Sequence, residues 1–161
     1  MQGEGQFAAL LRKDGEGNAF LPADRSLPKP DKTQTALFRS AFPDLPEPTH
    51  LLGSLLISMP EMPDVKGIRI FRAGLHLGEI RGKAAVPDHA AALCFRTSGI
   101  QATNLNADDA VRFTAGESIP GKASGWTLMY WQGLALGWGK GSEGMIKNHY
   151  PKGLRNQKLI P

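Results

Sequence analysis

Between residues 22 and 63 the chain carries 8 of its 12 prolines, among them Leu27-Pro28-Lys29-Pro30 and Leu45-Pro46-Glu47-Pro48. Each proline lacks an amide donor and restricts the residue before it, so this stretch is neither one continuous helix nor a central strand. Only short elements fit between the proline groups. Thr33 to Phe42 is such an element, a helix with Thr33 or Thr35 as its cap and Leu37, Phe38 and Phe42 on one face. Upstream, Gly5 to Lys13 has the composition of a short buried strand or a helix start, and it stops at the turn formers Asp14-Gly15-Glu16-Gly17-Asn18. Nothing follows at once for it to pair with, and residues 14–32 read as a linker.

Beyond the prolines the pattern alternates as strands do. His50 to Ser58 and Lys66 to Arg72 read as strands, and a turn at Ala73-Gly74 leads into Leu75 to Arg81 as a hairpin partner. Pro87-Asp88 opens a short helix from Ala90 to Phe95, and Asp108-Asp109 begins a third, ending at Gly116. Strands return at Trp126 to Trp131 and Leu134 to Trp138 around a Gln132-Gly133 turn; Gly139, Gly141 and Gly144 interrupt the pattern before Met145-Ile146-Lys147. Leu75-His76-Leu77-Gly78 is echoed by Leu134-Ala135-Leu136-Gly137, and a histidine follows each by 11 or 12 residues, at His89 and His149. The echo is either a duplicated unit or a chance recurrence of a short motif.

A chain of 161 residues suffices for one ordinary domain or two small ones. No apolar run reaches the roughly 18 residues of a membrane span, and the amino terminus has no basic stretch before an apolar core, so a soluble cytoplasmic protein is expected. A single cysteine, Cys94, excludes an internal disulfide framework and a multi-cysteine zinc site. Its apolar neighbours, Ala91-Ala92-Leu93 and Phe95, predict a buried, inert thiol. The histidines at 50, 76, 89 and 149 lack zinc-motif spacing, and His76 and Glu79, three apart on a strand, are expected on opposite faces. Gly137-Trp138-Gly139-Lys140-Gly141 lacks the following helix that a dinucleotide fingerprint needs.

The net charge of +4 is unevenly spread. Residues 1–121 hold 13 basic and 14 acidic side chains, whereas residues 122–161 hold 6 basic and 1 acidic. All three tryptophans (Trp126, Trp131, Trp138) and both tyrosines (Tyr130, Tyr150) fall in that basic segment, while the seven phenylalanines lie upstream. A concentrated positive field interleaved with flat rings is the footprint of a polyanion site, though each ring serves equally well as core. The candidate contacts lie between Gly137 and Arg155. There Lys140, Lys147, Lys152 and Arg155 can meet phosphates, and Asn148, His149 and Tyr150 offer hydrogen bonds or stacking. Alternatively Asn148, Tyr150 and Leu154 turn inward and close the fold.

This stretch resembles the carboxy-terminal signature of the RsmF-type branch of the Sun/nucleolar-protein family of rRNA 5-methylcytosine methyltransferases. Residues 72–81 (RAGLHLGEIR) and Pro87-Asp88-His89-Ala90 resemble that family's first carboxy-terminal domain. Asp109-Ala110, Gly116-Glu117, Gly125-Trp126, Leu136-Gly137-Trp138-Gly139-Lys140 and residues 147–155 (KNHYPKGLR) resemble its terminal PUA-like domain, a small mixed barrel associated with RNA. Gly3 to Arg12 resembles the last strand of its methyltransferase domain.

The resemblance implies an α+β chain of two small subdomains built on antiparallel hairpins with short helices, the last a PUA-like mixed β-barrel. It divides the chain into a methyltransferase remnant (1–13), the linker (14–32), a first carboxy-terminal domain (33–103) and an RNA-binding domain (104–161). Family members keep an S-adenosylmethionine site and a catalytic cysteine pair in an upstream α/β domain. This chain is therefore expected to have no catalytic, cofactor or metal residues of its own. Its implied partners are small-subunit rRNA and the methyltransferase domain, with neither membrane nor DNA. The alternative role is a module that docks on that domain or on the ribosome.

Overall fold

The computed structural model describes residues 27–59, 72–94 and 101–155. The strand expected at 5–13, most of the linker and nearly all of the strand expected at 66–72 lie outside them. In chain order the elements are α1 (Lys32–Ala41), β1 (His50–Leu52), β2 (Leu55–Ser58), β3 (Leu75–Arg81), β4 (Ala84–Pro87), α2 (His89–Leu93), β5 (Ala102–Asn104), α3 (Ala107–Ala115), β6 (Ile119–Pro120), β7 (Gly125–Trp131), β8 (Leu134–Ser142) and β9 (Met145–Asn148). A 3-10 turn, Lys152–Leu154, closes the described chain. The architecture is α+β: a four-stranded antiparallel sheet in the order β1-β2-β3-β4, and a five-stranded mixed sheet in the order β5-β7-β8-β9-β6.

The helix between the prolines forms, but neither threonine caps it. Asp31 does: its carboxylate accepts from the Gln34 amide at 2.7 Å while the Gln34 side chain accepts from the Asp31 amide at 3.1 Å. This reciprocal pair satisfies two of the amides that a helix start leaves bare, which a lone threonine cannot do. Thr35 instead bonds back to the Asp31 carbonyl. The end of the segment read as linker is also tied down, since the Leu51 amide donates to the Pro28 carbonyl at 2.7 Å. The other helices start as their sequences imply, with Asp88 accepting from the Ala90 amide and Asn106 from the Asp109 amide. Gly116, at φ +99, ends α3 by donating back to the last turn.

Two strand expectations change, and three short strands are added. Residues 50–58 form a hairpin rather than one strand, because Gly53 at φ +64 turns the chain between Leu52 and Leu55. β8 runs on to Ser142 through Gly139 and Gly141. Those glycines mark close approach and not a break: a Cβ on Gly139 would overlap Ile146 and Met129, and one on Gly141 would overlap the Ala123 backbone. The real turn comes at Glu143-Gly144, both at positive φ. β4, β5 and β6 carry no strand signal in the sequence, being two to four residues long and rich in Ala, Asn or Pro. β5 pairs in parallel with β7, which puts Ala102 and Thr103 on the second sheet.

The echoed Leu-x-Leu-Gly motif has one structural meaning in both places. Leu56 faces Gly78 while Ile57 faces His76, so Leu77 is an extra residue; Met129 faces Gly137 while Tyr130 faces Ala135, so Leu136 is extra. Each glycine follows its bulge at a φ, +151 or +157, that only glycine adopts easily. A bulge exchanges the faces of a strand. Leu75, Leu77 and Ile80 therefore reach one core despite their uneven spacing, as do Ala135 and Trp138.

The two sheets are not separate globules. One core joins Phe38, Phe42, Leu56, Leu77, Ala91 and Ala92 of the first unit to Leu128, Tyr130 and Trp138 of the second. Trp138 is 1% exposed, its ring packed 5.5 Å from that of Phe42. Its indole N–H donates to the Asp88 carbonyl at 2.8 Å, and that of Trp126 to the Ala85 carbonyl at 3.2 Å. A smaller core of Phe113, Ile119, Met129 and Ile146 lies under α3 on the other side of the second sheet. Cys94 departs from expectation: it is exposed. Five residues of α2 suffice only to bury Ala91 and Ala92, and Leu93 and Cys94 turn outward beyond them.

Trp138→Ala is expected to destabilise the chain by about 3–5 kcal/mol in urea unfolding, the usual cost of truncating a buried aromatic. A loss below about 1 kcal/mol would contradict a joining role for this ring.

Candidate nucleic-acid interface

The register of the second sheet selects a row of side chains. Trp126 on β7 faces Lys140 on β8, and Lys140 faces Lys147 on β9. All three side chains leave the same side of the sheet, because residues directly opposite on neighbouring strands share a face. Lys140 and Lys147 are exposed. The Lys140 ammonium sits 5.3 Å from the Trp126 ring centroid, a cation held over a π face. The His149 ring meets the same indole at a steep tilt of 67°, centroid to centroid at 4.5 Å. The strand alternation that buries Leu128 and Trp138 thus delivers a wet aromatic and two cations at the margin of the core.

His149 reports the field at this margin. Its pKa lies below the ordinary 6.5, first because the ring is partly desolvated, then because Lys140, Arg81 and Lys147 repel a further proton. At neutral pH the ring is uncharged, with one nitrogen free to accept and the other to donate. Arg81 belongs to β3 of the first unit. It is paired with the Glu79 carboxylate, Nε to oxygen at 2.7 Å, yet its side chain is 68% exposed. Between this hairpin and the His149–Pro151 segment lies an open cleft of about 230 Å³, lined in part by Glu79, Arg81, Asp88, His89, His149 and Pro151.

The seven residues singled out in the sequence divide into two groups. Lys140, Lys147, His149 and Lys152 are exposed. Asn148, Tyr150 and Arg155 are engaged inside the fold. The Asn148 amide donates to the Phe113 carbonyl at 2.7 Å and the Glu117 carbonyl at 2.9 Å, while its oxygen accepts from the Tyr150 amide at 2.8 Å. It thereby stitches the end of β9 to the end of α3. The Tyr150 ring stands edge-on between Phe113 and His89. Arg155 donates twice to the Tyr150 carbonyl, at 3.3 and 3.2 Å, and its guanidinium lies against Gly116 at the carboxyl end of α3, where the helix dipole favours a cation. Leu154 does not turn inward; it is 55% exposed.

Charge patterning does not point to Arg81, because it lies in residues 1–121, where 13 basic and 14 acidic side chains nearly cancel. Only the shared core brings it to the row. Among the described residues no cluster of His, Cys, Asp and Glu is arranged to hold a metal ion, and no helix is long and apolar enough to cross a membrane. His76 Nε2 and His89 Nδ1 are buried without a hydrogen-bond partner, and burial lowers the pKa of both rings, so neutral imidazoles occupy these places at pH 7.

Comparison with protein families gives each unit a place. Residues 36–95 match the RsmF rRNA methyltransferase first C-terminal domain, and residues 101–156 match the methyltransferase RsmF PUA domain. Both units thus define a class: accessory domains of an RNA-modifying enzyme, the second of them PUA-like. The chain belongs to the C-terminal region of the RsmF-type rRNA methyltransferases. A search among curated proteins returned no match.

Asn148→Ala is expected to lower stability by roughly 1–3 kcal/mol, since it removes the three hydrogen bonds that tie the end of β9 to the end of α3 and to the Tyr150 amide. RNA affinity measured well below the melting temperature should change less than about twofold, because both N–H donors of this amide, the groups that would meet a phosphate, are spent inside the fold. An unchanged melting temperature with lost RNA binding would reverse the assignment.

Proposed function

We propose that this chain is the RNA-holding part of an S-adenosylmethionine-dependent rRNA (cytosine-5)-methyltransferase, acting on small-subunit rRNA in the cytoplasm. The row Trp126–Lys140–Lys147 with His149 at its end carries this reading. Two ammonium groups supply sequence-independent attraction to phosphates, and the indole and imidazole supply ring faces and edges for an unstacked base. Lys152, exposed on the 3-10 turn, is a further cation of the same terminal segment.

The catalytic chemistry belongs to a separate domain of the parent enzyme, which would bind S-adenosylmethionine and present the attacking cysteine. The residues described here contribute position: they hold the nucleic acid at a fixed place relative to that domain, so that the target base is supplied in one orientation. The alternative, a docking module for the methyltransferase domain or the ribosome, would draw on an apolar face of the first unit. In this fold that face is spent on Leu128, Tyr130 and Trp138 of the second sheet.

Binding of the protein to a single-stranded rRNA fragment, measured across salt concentrations, is the test. Each phosphate contact contributes about 0.7 to the log–log slope on single strands, so Lys140→Ala with Lys147→Ala should reduce the slope by about 1.4 and weaken binding. A flat salt response, or an affinity unaltered by the double substitution, would refute the proposal.

A further inference from the structure

We infer that the RNA site is composite, with single-stranded RNA crossing the seam between the two units and Arg81 of the first unit holding a phosphate opposite Lys140 and Lys147. The inference rests on the RNA-binding reading above and adds to it a residue from the other family domain.

The geometry places Arg81 at the row through backbone links. Arg81 pairs with Ala84 across the β3–β4 hairpin. The carbonyl of the next residue, Ala85, accepts the indole N–H of Trp126 at 3.2 Å, and Trp126 carries Lys140 over its ring and His149 tilted against it. Two strands of different sheets are thus fixed side by side at their margins by a hydrogen bond and by the core beneath it. The proximity is also felt electrostatically, since Arg81 stands with Lys140 and Lys147 among the cations that disfavour a charged His149.

Shape favours a single strand. Arg81 and His149 both line the cleft of about 230 Å³, whose wall also includes His89, Pro151 and two acidic residues, Glu79, paired with Arg81, and Asp88, whose carboxylate accepts from the Ala90 amide. An open, partly polar recess with Arg81 on one lip and neutral His149, near Lys140 and Lys147, on the other admits one splayed base against ring edges, with its flanking phosphates on the guanidinium and the ammonium groups. The stacked bases of an A-form duplex cannot enter such a recess, and a duplex would touch the lips alone. Glu79 gives the lip a specific restraint: it neutralises Arg81 in the free protein, and the guanidinium must shift part of its hydrogen bonding from that carboxylate to the incoming phosphate.

The experiment uses the same chain and the same single-stranded rRNA fragment, with Arg81→Gln, Arg81→Lys, Glu79→Gln and, as a control on the adjoining turn, Lys83→Gln. Arg81→Gln should weaken binding roughly tenfold, as loss of one charge-assisted contact does, and reduce the salt slope by about 0.7. Arg81→Lys should keep the slope. Glu79→Gln should tighten binding severalfold, a gain that misfolding cannot produce, while Lys83→Gln should leave both affinity and slope within about twofold of the parent. A duplex of the same sequence should be less sensitive to Arg81→Gln than the single strand. If Lys140→Ala with Lys147→Ala weakens binding and Arg81→Gln does not, the composite site is wrong and the RNA-binding reading survives. If none of these substitutions matters, both fall. Equal losses in Arg81→Gln and Lys83→Gln would reduce Arg81 to a contributor to a diffuse field and overturn its assigned contact.

Discussion

The structure depends on the two indole hydrogen bonds that cross from the second sheet to the backbone of the first. Trp138 reaches the carbonyl of Asp88 at the start of α2, and Trp126 reaches that of Ala85 on β4. A tryptophan placed in a core needs a partner for its N–H, and here the partner lies on the other unit. The rings thus bury a large apolar area and fix the register between two sheets at once. Phe42 packs against both indoles, which brings the helix that starts among the prolines into the same contact.

From this follows the character of the candidate interface. A basic row on an independent domain would be free to rotate against its neighbour, and the contribution of Arg81 would average out. With a common core beneath it, the margin of the second sheet and the β3–β4 hairpin keep one relative position, so cations from both family domains act on one ligand. Preorganisation of this kind reduces the ordering cost of binding a flexible polyanion. The tightly bonded Asn148, Tyr150 and Arg155 serve the same end from below, by anchoring the segment that carries His149 to the end of α3.

Much of this was legible in the sequence, and the failures have physical causes. The helices announced themselves through Asp88, the Asp108-Asp109 pair and Gly116, and the hairpin turn at Gln132-Gly133 lies where its residues put it. The repeated Leu-x-Leu-Gly was visible as a motif, but its meaning as a bulge needs the partner strand. The glycines of β8 looked like breaks because sequence cannot separate a glycine that turns the chain from one that admits a neighbouring side chain. Apolar neighbours mislead at Cys94, which is exposed, since a five-residue helix has too little length to bury both ends. At the site, charge and residue type marked Lys140, Lys147, His149 and Lys152 together with Asn148, Tyr150 and Arg155. Only tertiary contacts distinguish outward groups from those that close the fold, and only they add Arg81.

The central claim is that the two family domains form one cooperative body. Native-state hydrogen exchange tests it most directly, by comparing amides of β3, such as Leu77 and Ile80, with amides of β7 and β8, such as Leu128 and Trp138. The account requires both sets to open with the same free energy, equal to that of global unfolding, and to lose protection together as denaturant is added. If β3 instead exchanges through a separate, lower-energy opening while β7 and β8 remain protected, the units are independent and the common core does not couple them.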